Sequence, residues 1–177
     1  SDGSSGVVGG YPGESGGTVN YNNTTTVRER GLYFNLAAPA KVKGILWIPA
    51  STISDYDVIL YDSNGTSTLA SISIDKDVSA GFGAVNFVEF ATAASLTANT
   101  NYRIVIKPTS ASNISMTDIT YSSAAFLGAM QGGTGMHLTE KDDGGTWTQT
   151  TTKRPVMSLL VSGFVASTGG GSWTWVQ

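Results

Sequence analysis

Residues 56–74, YDVILYDSNGTSTLASISI, decide how the rest of the chain is read. One run rich in β-branched and aromatic residues, 57–61, leads into Asp62-Ser63-Asn64-Gly65, and a second such run follows at 69–74. Asn and Gly both tolerate the positive φ that a tight hairpin turn demands, so the pair marks a reversal between two antiparallel strands. The expectation is a β-hairpin over 56–74.

The same grammar continues outward on both sides. Short apolar segments punctuated by Gly, Pro, Asn, Asp and Ser predict strands at 31–36, 42–48, 84–90, 101–107, 114–121, 135–139, 146–151 and 156–164. Alternation predicts one core-facing set from Leu32, Phe34 and Leu36, a second from Val85 and Phe87, and a third from Tyr102, Ile104 and Ile106. Trp47 sits in a continuous apolar run with Leu46 and Ile48 and is assigned to the core. Residues 91–98 are rich in Ala, but Thr92, Ser95 and Thr97 dilute them and leave room for one helical turn at most. No segment sustains a 3.6-residue stripe, which disfavours βαβ units. The fold class that follows is all-β: an antiparallel two-sheet sandwich, jelly-roll-like, with an extended Gly-rich N-terminal arm.

At 177 residues one sandwich accounts for the chain. Residues 1–26 hold seven glycines and little apolar periodicity, the composition of an extended or flexible arm that lies on its own domain or on a neighbouring subunit. Residues 27–166 are the β-sandwich. Residues 167–177 join a Gly-rich linker to a tail carrying Trp173 and Trp175, two large rings that are costly to leave in water and are therefore expected to dock.

Charged residues make up only 13% of the chain, about half the usual share. The surface must then be dressed largely in Thr, Ser, Asn and Gly, as in many extracellular and particle-forming β proteins. A net charge of -3 offers no positive field to gather phosphates, so nucleic acid is not an expected partner. The closest basic pairs, Arg28 with Arg30, Lys41 with Lys43 and Lys153 with Arg154, read as solvated edge residues. The absence of cysteine removes disulfides, thiolate metal sites and a cysteine nucleophile. No apolar run approaches the ~20 residues that cross a bilayer, and no membrane partner is expected.

Candidate chemistry is sparse. His137, the single histidine, has no Gly-x-Ser-x-Gly elbow near it and reads as structural. The acids Asp55, Asp57, Asp62, Asp75, Asp77, Glu89, Asp118, Glu140, Asp142 and Asp143 fall mostly in or beside turns, where carboxylates cap backbone amides, and no spacing marks a hydrolytic pair. No enzyme and no cofactor is expected. If calcium binds, the loops suited to it are Asp142-Asp143-Gly144-Gly145 and Asp75-Lys76-Asp77, though neither has EF-hand spacing. The glycine-rich residues 128–135 lack a Gly-Lys-Ser/Thr ending and a following helix, so they form no phosphate loop. Trp147, with Asp142 and Asp143 close by, is the loop-borne ring best suited to stack on a sugar, with a core or interface role as the competing reading.

Four segments carry a likeness: GLYFNL at 31–36, PAKVKG at 39–44, DVILYDSNG at 57–65 and ASLTANTNYRIVI at 94–106. Together they resemble β-sandwich modules of extracellular and viral surface proteins over residues 31–107. DGGTWT at 143–148, followed by KRPVMSL at 153–159, is similar to segments of tailed-bacteriophage structural proteins such as head decoration, head-fibre or tail-associated proteins. The resemblance implies a non-enzymatic protein of a virion surface or extracellular setting, whose partners are copies of itself or other virion proteins. Trp173 and Trp175 would then serve as contact residues. A carbohydrate-binding module, with Trp147 and the loop acids meeting the glycan, is the alternative.

Overall fold

The computed structural model describes residues 6–8, 16–20, 27–50, 53–79, 83–109, 114–120 and 136–164. Its strands are β1 (Gly6–Val8), β2 (Gly16–Asn20), β3 (Arg28–Asn35), β4 (Ala40–Trp47), β5 (Tyr56–Tyr61), β6 (Thr68–Ile74), β7 (Asn86–Leu96), β8 (Asn101–Pro108), β9 (Ser115–Thr120), β10 (His137–Asp142), β11 (Thr148–Thr150), β12 (Lys153–Pro155) and β13 (Met157–Phe164). One 3-10 turn, Lys76–Val78, is capped by the Asp75 carboxylate.

The strands form a four-stranded sheet ordered β1-β13-β4-β7, a six-stranded sheet ordered β11-β10-β3-β8-β5-β6, and a small sheet ordered β12-β9-β2. From β3 to β8 the chain crosses between the two large sheets at β3 to β4, β4 to β5, β6 to β7 and β7 to β8, staying in one sheet at the β5–β6 hairpin; β10 and β11 form a second hairpin within the six-stranded sheet. The pairs are antiparallel. Facing orders of 1-13-4-7 and 3-8-5-6 are those of a jelly roll, which confirms the fold class read from alternation. Two pieces of the N-terminal arm are extended and lie on the domain's own strands: β1 pairs with β13, and β2 with β9.

The core lies between the large sheets. Leu32, Phe34, Val58, Leu60, Ile104 and Ile106 from one meet Val42, Ile45, Trp47, Val88, Phe90, Met157, Leu159 and Val161 from the other. Each fully buried side chain of this kind contributes roughly 1.5–3 kcal/mol. Trp47, as expected, is fully buried, and its indole N–H donates to the Tyr56 hydroxyl at 3.2 Å. A register shift between Val42 and Gly44 resets the alternation of β4, so that Val42 and Ile45 both face inward although three positions separate them.

Three expectations are corrected. Val85 and Phe87 face outward, 41% and 68% exposed, while Val88 and Phe90 enter the core. The stretch VNFVEF carries apolar residues in both phases, and the next position decides: continuing the 85/87 phase would bury Glu89, whereas the other phase buries Val88 opposite the inward Ile45. Residues 91–96 do not turn into a helix but continue β7, with Ala94, Ser95 and Leu96 opposite Val42, Lys41 and Ala40. In the β5–β6 hairpin only Gly65 has positive φ, 70°. The connection is longer than a two-residue turn: the Asp62 carbonyl accepts from Gly65 N–H at 3.0 Å, and the Asp62 carboxylate accepts from Thr66 and Ser67 N–H at 3.0 and 3.3 Å.

The phase of β7 is directly measurable. In dilute solution Phe90→Ala is expected to cost about 3–5 kcal/mol in urea unfolding, and Phe87→Ala no more than about 0.5 kcal/mol. The reverse order would mean that the strand is seated one residue out of register.

Candidate functional site

The outward face of the six-stranded sheet carries an unusual inventory, set out by register in three cross-strand rows. His137, Tyr33, Arg103 and Tyr61 make the first, and Thr139, Gly31, Val105 and Ile59 the second. In the third, Lys141 stands opposite Glu29, and Lys107 opposite Asp57. A face pointing away from the main core would ordinarily be wet, yet Val105 and Thr139 are fully buried and Glu29, Arg103 and Tyr61 nearly so.

The cover comes from Trp147, which packs on Ile59, Tyr61 and Val105 to make a second, smaller core. Its indole N–H donates to the Gly65 carbonyl at 3.0 Å, and its ring meets Tyr61 edge-on at 5.7 Å between centroids. Gly65 suits that contact twice over: its φ is left-handed, and a Cβ there would stand 2.2 Å from the indole nitrogen. Lys141 Nζ lies 4.7 Å and Arg103 Cζ 5.2 Å from the ring centroid, within cation–π range.

Beneath this cover the charges are matched. The Glu29 carboxylate, 2% exposed, has Lys141 Nζ at 3.1 Å and Lys107 Nζ at 3.9 Å. Arg103 donates to the Ser63 carbonyl and stacks 4.7 Å over Tyr33. Burial pulls the Arg103 guanidinium below its ordinary pKa, against the pull of Tyr33 and Asp62. Burial pushes the Tyr61 phenol well above its own, helped by its hydrogen bond to Glu29 and by the negative charge there.

His137 Nε2 lies 3.1 Å from Gln149 Oε1, and its ring is 5.0 Å from Tyr33, a packed position on the strand. Asp142 pairs through its carboxylate with Arg28 Nε at 2.7 Å. The turn after it is held by Gly145 N–H donating to the Asp142 carbonyl and by Asp143 N–H donating to the Val27 carbonyl. Trp147 and Asp142, close in sequence, are thereby sent to different places: the ring onto the outward face, the acid to the start of β3. In the other acidic loop, Asp75 accepts from Asp77 N–H, Asp55 accepts from Lys76 N–H, and Lys76 pairs with Asp77. Among the described residues, no three His, Asp or Glu side chains converge on a point that could hold a metal ion. Trp173 and Trp175 lie outside the described residues.

Sequence reasoning missed the Glu29, Arg103 and Tyr61 cluster. The available signal was a charged residue inside an apolar strand, Arg103 between Tyr102 and Ile104. The reading of basic pairs as solvated edges also needs correction: Arg154 is 2% exposed, and Arg30 is largely covered beside Glu140, its Nε 2.8 Å from the carboxylate.

These observations define a jelly-roll β-sandwich domain with a closed aromatic and ionic cluster on the outward face of its larger sheet. No protein-family model matches the chain, and no match to a curated protein was found.

Two tests follow from the cluster. Gly65→Ala, which drives a methyl into the indole, is expected to cost roughly 1–3 kcal/mol, read by urea unfolding. Tyr61 holds its proton more tightly in the fold than in the unfolded chain, whose phenol titrates near 10. Its contribution is complete below that pH and is lost as pH rises above it. Thermal stability should therefore fall above about pH 10, and Tyr61→Phe should flatten part of that fall; equal slopes in the two proteins would refute the assignment.

Proposed function

We propose that this domain is a non-enzymatic structural component of a virion surface, a decoration or fibre subunit, that works by burying apolar area against further copies of itself. The observation that carries this reading is the outward face of β7. Phe87 is 68% exposed and Val85 41% exposed, and Phe87 lies opposite the half-buried Leu46 of β4. An aromatic ring held out on a rigid strand is the kind of anchor that interfaces bury at their centre.

A second copy is the occupant that the charge pattern favours. Lys43 and Glu89 pair across the same two strands at 2.8 Å, with side chains 27% and 55% exposed. A patch whose charges cancel around an apolar centre can meet a copy of itself about a twofold axis without like-charge repulsion, as an interface between identical surfaces requires. Among the described strands, β7 is the outer strand of the four-stranded sheet, hydrogen-bonded on one side to β4, and none of them pairs with its other edge. The low charge content lowers the desolvation cost of bringing such surfaces together. A jelly roll is an architecture shared by viral capsid and lectin domains, so the fold is compatible with this reading without deciding it.

The alternative, a carbohydrate-binding module centred on Trp147, draws less support. Its indole N–H is already bonded, two cations of the same chain stand by its ring, and the ring packs on Tyr61.

The test is solution mass by light scattering over a concentration series. The wild-type chain should associate, and Phe87→Ser combined with Val85→Ser should be monomeric with an unchanged circular dichroism spectrum. A wild-type chain that stays monomeric, or a variant that associates as before, would overturn the proposal.

A further inference from the structure

A cleft of about 320 Å³ opens where the β10–β11 turn overhangs the start of β3, lined by Arg28, Arg30, Glu140, Asp142, Thr146 and Thr148, with Lys141 at its side. Its volume lies at the low end of small-ligand sites, but its lining differs from the common apolar kind: among the described residues no lining side chain is hydrophobic. Register explains the arrangement. Arg28 stands opposite Asp142 and Arg30 opposite Glu140, so two guanidinium–carboxylate couples sit two residues, roughly 7 Å, apart along the sheet. Each couple closes through Nε, at 2.7 and 2.8 Å.

The chemistry of that lining selects its ligand. Two cations are matched by two carboxylates, and Lys141 is matched by Glu29 at 3.1 Å. Among the described residues the cleft is charge-balanced: a free anion meets Glu140 and Asp142, and a free cation meets Arg28 and Arg30. An apolar ligand meets no apolar side chain in this described lining. A neutral molecule rich in hydroxyls meets neither penalty, because a guanidinium presents five N–H donors in a fork and a carboxylate can accept about four hydrogen bonds. Neighbouring hydroxyls of such a ligand can therefore donate to a carboxylate and accept from the adjoining guanidinium, with the Thr146 and Thr148 hydroxyls serving in either role.

We propose that this cleft binds a neutral saccharide, held by hydroxyl contacts to the Arg28–Asp142 and Arg30–Glu140 couples and not by stacking on Trp147. The assignment does not depend on self-association. The strands hold the couples before any ligand arrives, so little ordering is needed on binding; an open, wet site of this size corresponds to weak, rapidly exchanging contacts that gain strength when several copies act together.

The probes are maltotriose, cellotriose and tri-N-acetylchitotriose, with a heparin disaccharide as the anionic comparison, read by saturation-transfer NMR and by titration of the full chain. At least one neutral trisaccharide should bind. Arg28→Gln, which shortens the side chain and removes the guanidinium, and Asp142→Asn, close in size to the original, both fall on partly exposed side chains and should each weaken binding about tenfold or more while the fold is retained. The Phe87 and Val85 double variant should still bind as a monomer, which separates this site from the assembly surface. Absence of binding to all three neutral sugars, preference for the heparin disaccharide, or binding that survives both cleft substitutions would overturn the proposal.

Discussion

The bond from the Trp147 indole to the Gly65 carbonyl ties together two ends of the larger sheet that a flat sheet would hold apart. Trp147 immediately precedes β11, and Gly65 follows β5, four strand spacings away in the order β11-β10-β3-β8-β5, or roughly 19 Å if the sheet were flat. One side chain closes that span only because the sheet twists and the connection before β11 folds across it. Everything beneath the indole depends on this closure. Glu29 and Arg103 are taken out of water there, and a buried charge is tolerable only where its partners are already in place. Lys141, Lys107, Tyr33 and the Ser63 carbonyl fill that role.

The two faces of the sandwich therefore divide the work. The inner faces form an apolar core of the ordinary kind, built by alternation. On the outward face of the six-stranded sheet, the part formed by β10, β3, β8 and β5 is closed by an aromatic and ionic cluster. Among the described residues, the Phe87 strip on β7 and the cleft where β3 meets β10 remain open. An apolar strip suits a protein neighbour, while paired guanidinium and carboxylate groups beside threonine hydroxyls suit a hydroxylated one.

Much of the fold was legible. Leu32, Phe34, Tyr102, Ile104 and Ile106 enter the core as their alternation required, and the hairpin around Asp62 and Gly65 reverses the chain where its composition said it would. Misreadings cluster where a local pattern had two solutions. Val85 and Phe87 compete with Val88 and Phe90 for the same core face, and the inward Ile45 and Trp47 of the partner strand choose between them. The Ala-rich 91–96 became strand because β4 offered a ladder to complete. Of the candidate site, Trp147 takes the core role that competed with sugar stacking, and its partners Tyr61, Arg103 and Gly65 are distant in sequence, so no local signal joins them.

The sequence by itself determined the all-β class, the positions of most strands and the want of cysteine chemistry, because these follow from periodicity, turn residues and composition, all of which are local. Only the tertiary structure decided which way the outward aromatic residues face, that Glu29 and Arg103 are buried, and that Asp142 and Glu140 stand beside Arg28 and Arg30. Those outcomes depend on strand order and register, in which residues more than a hundred positions apart become neighbours, and pairing of that range is settled by the collective packing of the two sheets and not by any segment alone.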